Sequence, residues 1–272
     1  MATSKTYVVA WDGAIENVLD ISRQLVAGNI NHKFYNVSSI ENQNENWTRA
    51  EDVRYYGHFF NAIKDFLSTE HDVFIFNAGD MGYGDYDGYT KRIEQMFDEN
   101  YNLALFAPDC TNDVFVGNTS TIAKSDKYPE LYLSTNTNGI YVAMSRDMAG
   151  YISLFQDWSI ETGEIDFTKM RSGWGLDMAY CSLAIFLNKI IYRDSSVTMY
   201  HPTSQSYTQQ QGLDEFYATL NAFNKFAMDV LMIRPERIKF IMDKTLEKVR
   251  QQHSTVLSKE IMYTNPKAVE NA

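Results

Sequence analysis

The stretch Val73–Phe106 reads VFIFNAGDMGYGDYDGYTKRIEQMFDENYNLALF, and its pattern decides the fold class. Val73–Phe76 is apolar at every position, as expected of a parallel strand covered on both faces. The run stops at Asn77-Ala78-Gly79-Asp80 and enters a loop with Gly82, Gly84 and Gly88. Tyr89–Asn100 then puts Ile93, Met96 and Phe97 on one helical face, and Tyr101–Phe106 returns to an extended run. Strand, turn, helix and strand in this order form the repeating unit of a parallel sheet.

The same alternation holds upstream. Tyr7–Trp11 reads as a short strand ending at Asp12-Gly13. Ile15, Val18, Leu19, Ile21 and Leu25 recur at helical spacing, with Gly28 as the expected stop. His32–Val37 is a second strand, Ile40–Trp47 a polar loop, and Arg49–Thr69 a long helix with Val53, Tyr56, Phe59, Phe60, Ile63 and Leu67 inward. Downstream, Cys110–Thr137 reads as polar and irregular, Gly139–Met144 as a strand and Asp147–Trp158 as a helix. Glu161–Arg171 is a polar connection, Leu176–Leu187 an apolar helix, and Tyr192–Tyr200 a strand ending at His201-Pro202. Two helices, Gly212–Met232 and Arg234–His253, follow on either side of Pro235. The expected architecture is α/β: a doubly wound, Rossmann-like, mainly parallel sheet with a C-terminal helical extension. Residues 1–207 would form the sheet-bearing domain, and residues 208–272 the extension packed on it.

The composition narrows the class. At 272 residues the chain is long enough for a sizeable core without disulfide staples. Five Pro and 14 Gly exclude collagen-like and low-complexity chains. Cys110 and Cys181 are too few for a zinc ribbon, one bridge is possible, and a reducing cytosol is the simpler expectation. Apolar runs such as Val73–Phe76 are too short to span a bilayer, and Met1–Thr6 has no signal-peptide core, so a cytoplasmic protein without membrane contact is expected. Lys and Arg number 24 against 35 Asp and Glu, and the net charge of −11 disfavours a broadly cationic nucleic-acid binder.

Three places could carry chemistry. Asn77-Ala78-Gly79-Asp80 ends a strand, where open α/β sheets bind ligands; a carboxylate there can hold a divalent cation, and the cation a diphosphate. The alternative is a turn with a capping Asp. Neither a P-loop nor the dinucleotide fingerprint fits: no Gly-Lys-Ser/Thr is present, and Gly82-x-Gly84 lacks its third glycine. In Gly173-Trp174-Gly175-Leu176-Asp177, the Trp offers a flat face for a sugar or base, and Asp177 could act as a general base. The alternative is an Asp stabilised by the helix dipole. His201, at a strand end, is a candidate ligand for a divalent metal, or a hydrogen-bonded surface residue. No Gly-x-Ser-x-Gly elbow supports a hydrolase.

In their order along the chain, these segments resemble GT-A-fold glycosyltransferases. Val73–Phe106 is similar to the family's buried strand and metal motif, here with one carboxylate where the usual motif has two. Gly173–Asp177 looks like its Gly-Trp-Gly-x-Asp/Glu motif, and Tyr192–His201 resembles the strand whose terminal His completes the metal shell. The resemblance implies Mn²⁺ or Mg²⁺ on Asp80 and His201 and a UDP-sugar donor. It implies nucleotide contacts from Asp12, Asn77 and Gly79, a stacking Trp174, and Asp177 as base of an inverting transfer. The 18 Tyr and 16 Phe, with many Asn and Met, resemble T-even-type bacteriophage enzymes that transfer glucose or arabinose to 5-hydroxymethylcytosine in DNA. Arg234–His253 carries six basic residues against Glu236, Asp243 and Glu247, a face that could meet phosphates or simply be a solvated helix. A polysaccharide, lipid-linked or protein acceptor, or a non-catalytic binding module on the same scaffold, are the alternatives.

Overall fold

Side chains alternate across the central strands, and this places helices on both faces. The computed structural model describes residues 1–82, 84–110, 121–137, 139–200 and 208–240. In strand β1 (Ser4–Ala10), Tyr7 and Val9 face one core while Val8 and Ala10 face the other. In β4 (Val73–Asn77), Phe74 and Phe76 oppose Val73 and Ile75 in the same way. The first core is closed by helices α2 (Arg54–Leu67), α4 (Arg146–Thr162), α5 (Leu176–Phe186) and α6 (Gln209–Asp229), and the second by α1 (Ile15–Ala27) and α3 (Tyr86–Glu99). Phe59 meets Phe76 edge-on at 5.1 Å and Phe74 at 5.7 Å, an arrangement that adds about 1 kcal/mol per pair to the area buried.

The remaining strands are β2 (His32–Asn36), β3 (Trp47–Arg49), β5 (Leu103–Cys110), β6 (Thr121–Lys124), β7 (Leu131–Ser134), β8 (Tyr141–Ser145) and β9 (Ile190–Met199). They form one sheet in the order β3-β2-β1-β4-β8-β5-β9-β7-β6. β1 runs parallel to β2 and β4, β2 to β3, and β5 to β9. β8 is antiparallel to β4 and β5, and β7 to β9 and β6, so only β8 and β7 oppose the common direction. The doubly wound, mainly parallel α/β sheet expected from the sequence is therefore present.

Several boundaries differ from the sequence reading, each for a local reason. α1 ends at Ala27, but Asn29 rather than Gly28 adopts the left-handed backbone, with φ +52°. α2 starts at Arg54, five residues after the expected point, because Arg54 itself has φ +62° and its N–H is taken by Asp52. α3 starts three residues early because Asp85 caps it, accepting the Gly88 N–H at 2.8 Å. Within the stretch read as irregular, β6 and β7 pair and widen the sheet beyond β9. α6 enters the first core through Leu213, Phe216, Phe223 and Phe226. Cys110 and Cys181 are both free, and no helix among the described residues is long and apolar enough to cross a membrane.

The chain leaves β1 toward one face through α1 and enters β4 from the other face through α2. The carboxyl ends of β1 and β4 thus flank a topological switch point, the place where such sheets open a ligand crevice.

Candidate active site

On the β4 side, the loop after the strand is built by Asn77. Its side chain is fully buried; Oδ1 accepts the Gly79 N–H at 2.8 Å, and Nδ2 donates to the Met81 carbonyl and to Tyr86 Oη, each at 3.2 Å. Gly79 has φ +93°, and its carbonyl accepts Asn17 Nδ2 from α1 at 2.8 Å. The Ala78 carbonyl accepts Trp11 Nε1 from the end of β1 at 3.2 Å. Asp80 follows, half-buried. Gly82 then pairs with Tyr200, each N–H reaching the other's carbonyl at 3.0 and 2.9 Å. The loop bearing Asp80 is thereby stitched to the end of β9. His201 lies outside the described residues.

Asp12 is exposed beside this crevice. Its Oδ1 accepts the backbone N–H of Ser39 at 2.7 Å and the Ser39 hydroxyl at 2.8 Å, which ties the end of β1 to the turn after β2. These bonds, the backbone one first, hold its carboxyl below the usual carboxylate range.

The second half of the site is the start of α5. Gly173 and Gly175 have φ +73° and +91°, so the Gly-Trp-Gly loop twice uses the left-handed backbone that favours glycine. A β-carbon on Gly173 would lie 2.4 Å from the Tyr55 ring, and one on Gly175 would lie 2.9 Å from the Phe216 carbonyl. Both glycines therefore let the loop lie flat on α2 and α6. Trp174 is half-buried, one part of its indole lying against Gly212. Asp177 is half-buried at the first turn of α5, its Oδ1 accepting the Met178 N–H at 2.9 Å.

Gly139–Ile140, which leads into β8, joins the two halves. The Ile140 carbonyl accepts the Ala78 N–H at 2.9 Å, on the Asp80 side. One residue earlier, a β-carbon on Gly139 would stand 3.2 Å from Asp177 Cβ, and the Gly139 carbonyl accepts a short hydrogen bond from Tyr55 Oη. Among the described residues no three His, Cys, Asp or Glu side chains converge on one point as a metal cage. Asp80 supplies one carboxylate in the loop after β4, an oxygen donor of the kind that hard divalent cations take.

No protein-family model matches the sequence, and no curated protein does. Solved structures match in shape. The mannosyltransferase PcManGT of Pyrobaculum calidifontis, in complex with GDP-Man and Mn²⁺, superposes with a TM-score of 0.51 over 98% of this chain and 77% of that one, at 10% identity. S. aureus TarS (residues 1–349) gives 0.58 over 97% and 75%, at 11% identity. The fold is GT-A-like. GalNAc-T7 with UDP, GalNAc and Mn²⁺ shares it, with a TM-score of 0.53 over 93% of this chain and 55% of its own, at 8% identity.

Asp12, Asn77, Gly79 and Asp80 thus follow the ends of β1 and β4, Asp177 lies beside Gly139, and the Trp174 indole lies against Gly212 of α6. The sequence reading missed Tyr55, Tyr56 and Glu215, which hold the second half in place. Tyr56 was visible only as a helix-face aromatic. Glu215 contacts residues more than 40 positions away, a relation no local pattern encodes.

Proposed function

We propose that the protein is a glycosyltransferase that moves glucose or arabinose from a UDP-sugar to a hydroxyl acceptor. The supporting observation is the Gly139–Ile140 segment, bonded to the Asp80 loop on one side and packed against Asp177 on the other. On this reading a phosphate-side carboxylate and a base flank one crevice.

Asp80 and His201 are the residues assigned to a divalent cation; His201 follows Tyr200, the partner of Gly82. Bound there, Mn²⁺ or Mg²⁺ supplies charge neutralisation for the departing diphosphate. Asp12 and Asn77 shape the two loops that meet the nucleotide, and Gly79 lets the second loop lie against β1. Trp174 stacks beside the sugar. Asp177 accepts the acceptor hydroxyl proton as oxygen bonds to the anomeric carbon. The bond to the diphosphate breaks and the nucleotide leaves with its electron pair. With Asp177 as base, this single displacement inverts the anomeric centre.

The acceptor we propose is 5-hydroxymethylcytosine, or its glycosylated form, in phage DNA within the host cytoplasm. The sequence resemblance supports it. The protein is incubated with UDP-glucose or UDP-arabinose, Mn²⁺ or Mg²⁺, and hydroxymethylated or plain duplexes, and product mass is followed. Transfer to the hydroxymethylated duplex alone is expected. Transfer only to glycans or proteins removes the DNA acceptor, and UDP binding without turnover of any donor leaves a binding module. Asp177→Asn should lower kcat by about 10²- to 10⁴-fold while UDP affinity by calorimetry stays within about twofold. A wild-type rate in that variant removes Asp177 as base.

A further inference from the structure

Residues 171–177 carry both Trp174 and Asp177. The loop is gripped by helices. From α2, Tyr56 Oη donates to the Trp174 carbonyl at 2.7 Å. The grip from α6 is larger. The Glu215 carboxylate accepts the Arg171 N–H at 2.6 Å, the Ser172 N–H at 2.7 Å and the Ser172 hydroxyl at 2.5 Å. Ser172 Oγ in turn accepts the Trp174 N–H at 3.1 Å. A β-carbon on Gly212 would stand 2.9 Å from the indole, and one on Gly175 would stand 2.9 Å from the Phe216 carbonyl and 3.1 Å from Thr219 Cβ.

Gly212, Glu215, Phe216 and Thr219 are spaced i, i+3, i+4 and i+7, which is one face of a helix. A face serving only a core has no use for a carboxylate. This one instead offers a gap for an indole, a carboxylate for two backbone N–H groups, and a small residue under a glycine. A carboxylate taken partly out of water is tolerated when its oxygens accept several bonds, and these are charge-assisted. Each is lost if the loop shifts, so Glu215 fixes where the loop stands.

Resting on the function proposed above, we infer that α6 is the acceptor-determining element of the site. Glu215 is its positioning residue, setting Trp174 and Asp177 through the backbone of Arg171 and Ser172. It touches no substrate. The nucleotide side is built by β1, β4 and α1, whereas the bonds of Glu215 go to Arg171 and Ser172.

The test is Glu215→Gln in the full chain. The amide keeps one acceptor oxygen and turns an NH₂ toward an N–H group. Three quantities are measured: hydrogen exchange of the Arg171 and Ser172 amides, UDP affinity by calorimetry, and kcat/KM for the acceptor that the wild type uses. Faster exchange at both amides is expected, with UDP affinity within about twofold and acceptor kcat/KM down about tenfold or more. Ser172→Ala, which removes one bond to Glu215 and one to Trp174, should act in the same direction by about threefold, and it serves if the first variant does not fold. Unchanged exchange overturns the inference, as does wild-type kcat/KM, or UDP affinity falling in step with transfer. A wild-type chain that uses no nucleotide sugar overturns the proposed function and the role with it. An active wild type with an unaffected E215Q variant overturns the role alone.

Discussion

Gly79 has φ +93°, and a β-carbon added there would stand 2.0 Å from the Val9 carbonyl oxygen. That oxygen belongs to the backbone of a central strand and has nowhere to move. Gly79→Ala should therefore cost about 3 kcal/mol, from the clash and the torsion together, read as a lowered urea midpoint. An unchanged midpoint would mean that the loop refolds off β1. The need for a flexible residue after Asn77 was legible in the sequence, because a glycine at a strand end is itself a local signal. Its partner was not, since Val9 is some seventy residues away. The same limit applies to Asp12 and Asn77. Their positions at strand ends could be read, but their bonds to Ser39, and to Met81 and Tyr86, depend on how separate loops meet.

At the scale of elements, Asp65 on α2 binds two strands at once. It accepts from Lys5 at 2.9 Å and Tyr7 at 2.7 Å on β1, and from Lys33 at 2.5 Å on β2. Burial alone would raise its carboxyl pKa; the hydrogen bonds from Lys33, Lys5 and Tyr7 outweigh burial and bring it to about 2. A depressed carboxylate stabilises the fold above its unfolded value, near pH 4, and that contribution is lost as pH falls through about 2. The contribution is about 1 kcal/mol once solvent screening is allowed for. The stability gap between wild type and Asp65→Asn should thus be full at pH 6 and close between pH 4 and pH 2 in urea titrations. A gap that does not change with pH would remove the tie as an ionic one. The helices and strands that this residue joins were legible because long periodic runs such as Tyr56–Phe66 and Val73–Phe76 repeat one signal many times. β6, β7 and β3 were not: each has only three or four residues, and their pairing is set by neighbours across the sheet. The reversed direction of β8 was equally hidden, since its residues alternate the same way whichever way the strand runs.

At the scale of the molecule, a net charge of −11 bears on the DNA acceptor proposed above, which is itself an anionic polymer. In the described part of the basic segment Arg234, Arg237 and Lys239 are exposed, and Arg237 donates to the Phe186 carbonyl and Asn188 Oδ1, each at 3.1 Å. Phe186 ends α5, about 14 Å along the helix axis from Asp177. The described part of this cluster therefore begins at the far end of α5 from Asp177. A face of few cations neutralises few phosphates. Each one releases counterions and adds about −0.9 to the slope of log affinity against log salt. With two to four phosphate contacts, log kcat/KM for a hydroxymethylated duplex should fall with log salt at a slope of about −2 to −4. An uncharged glycan acceptor has no counterions to release, and its slope should stay near zero. Transfer to DNA whose kcat/KM does not change between low and high salt would show that the duplex is recognised without its phosphates. The basic segment would then have no part in binding it.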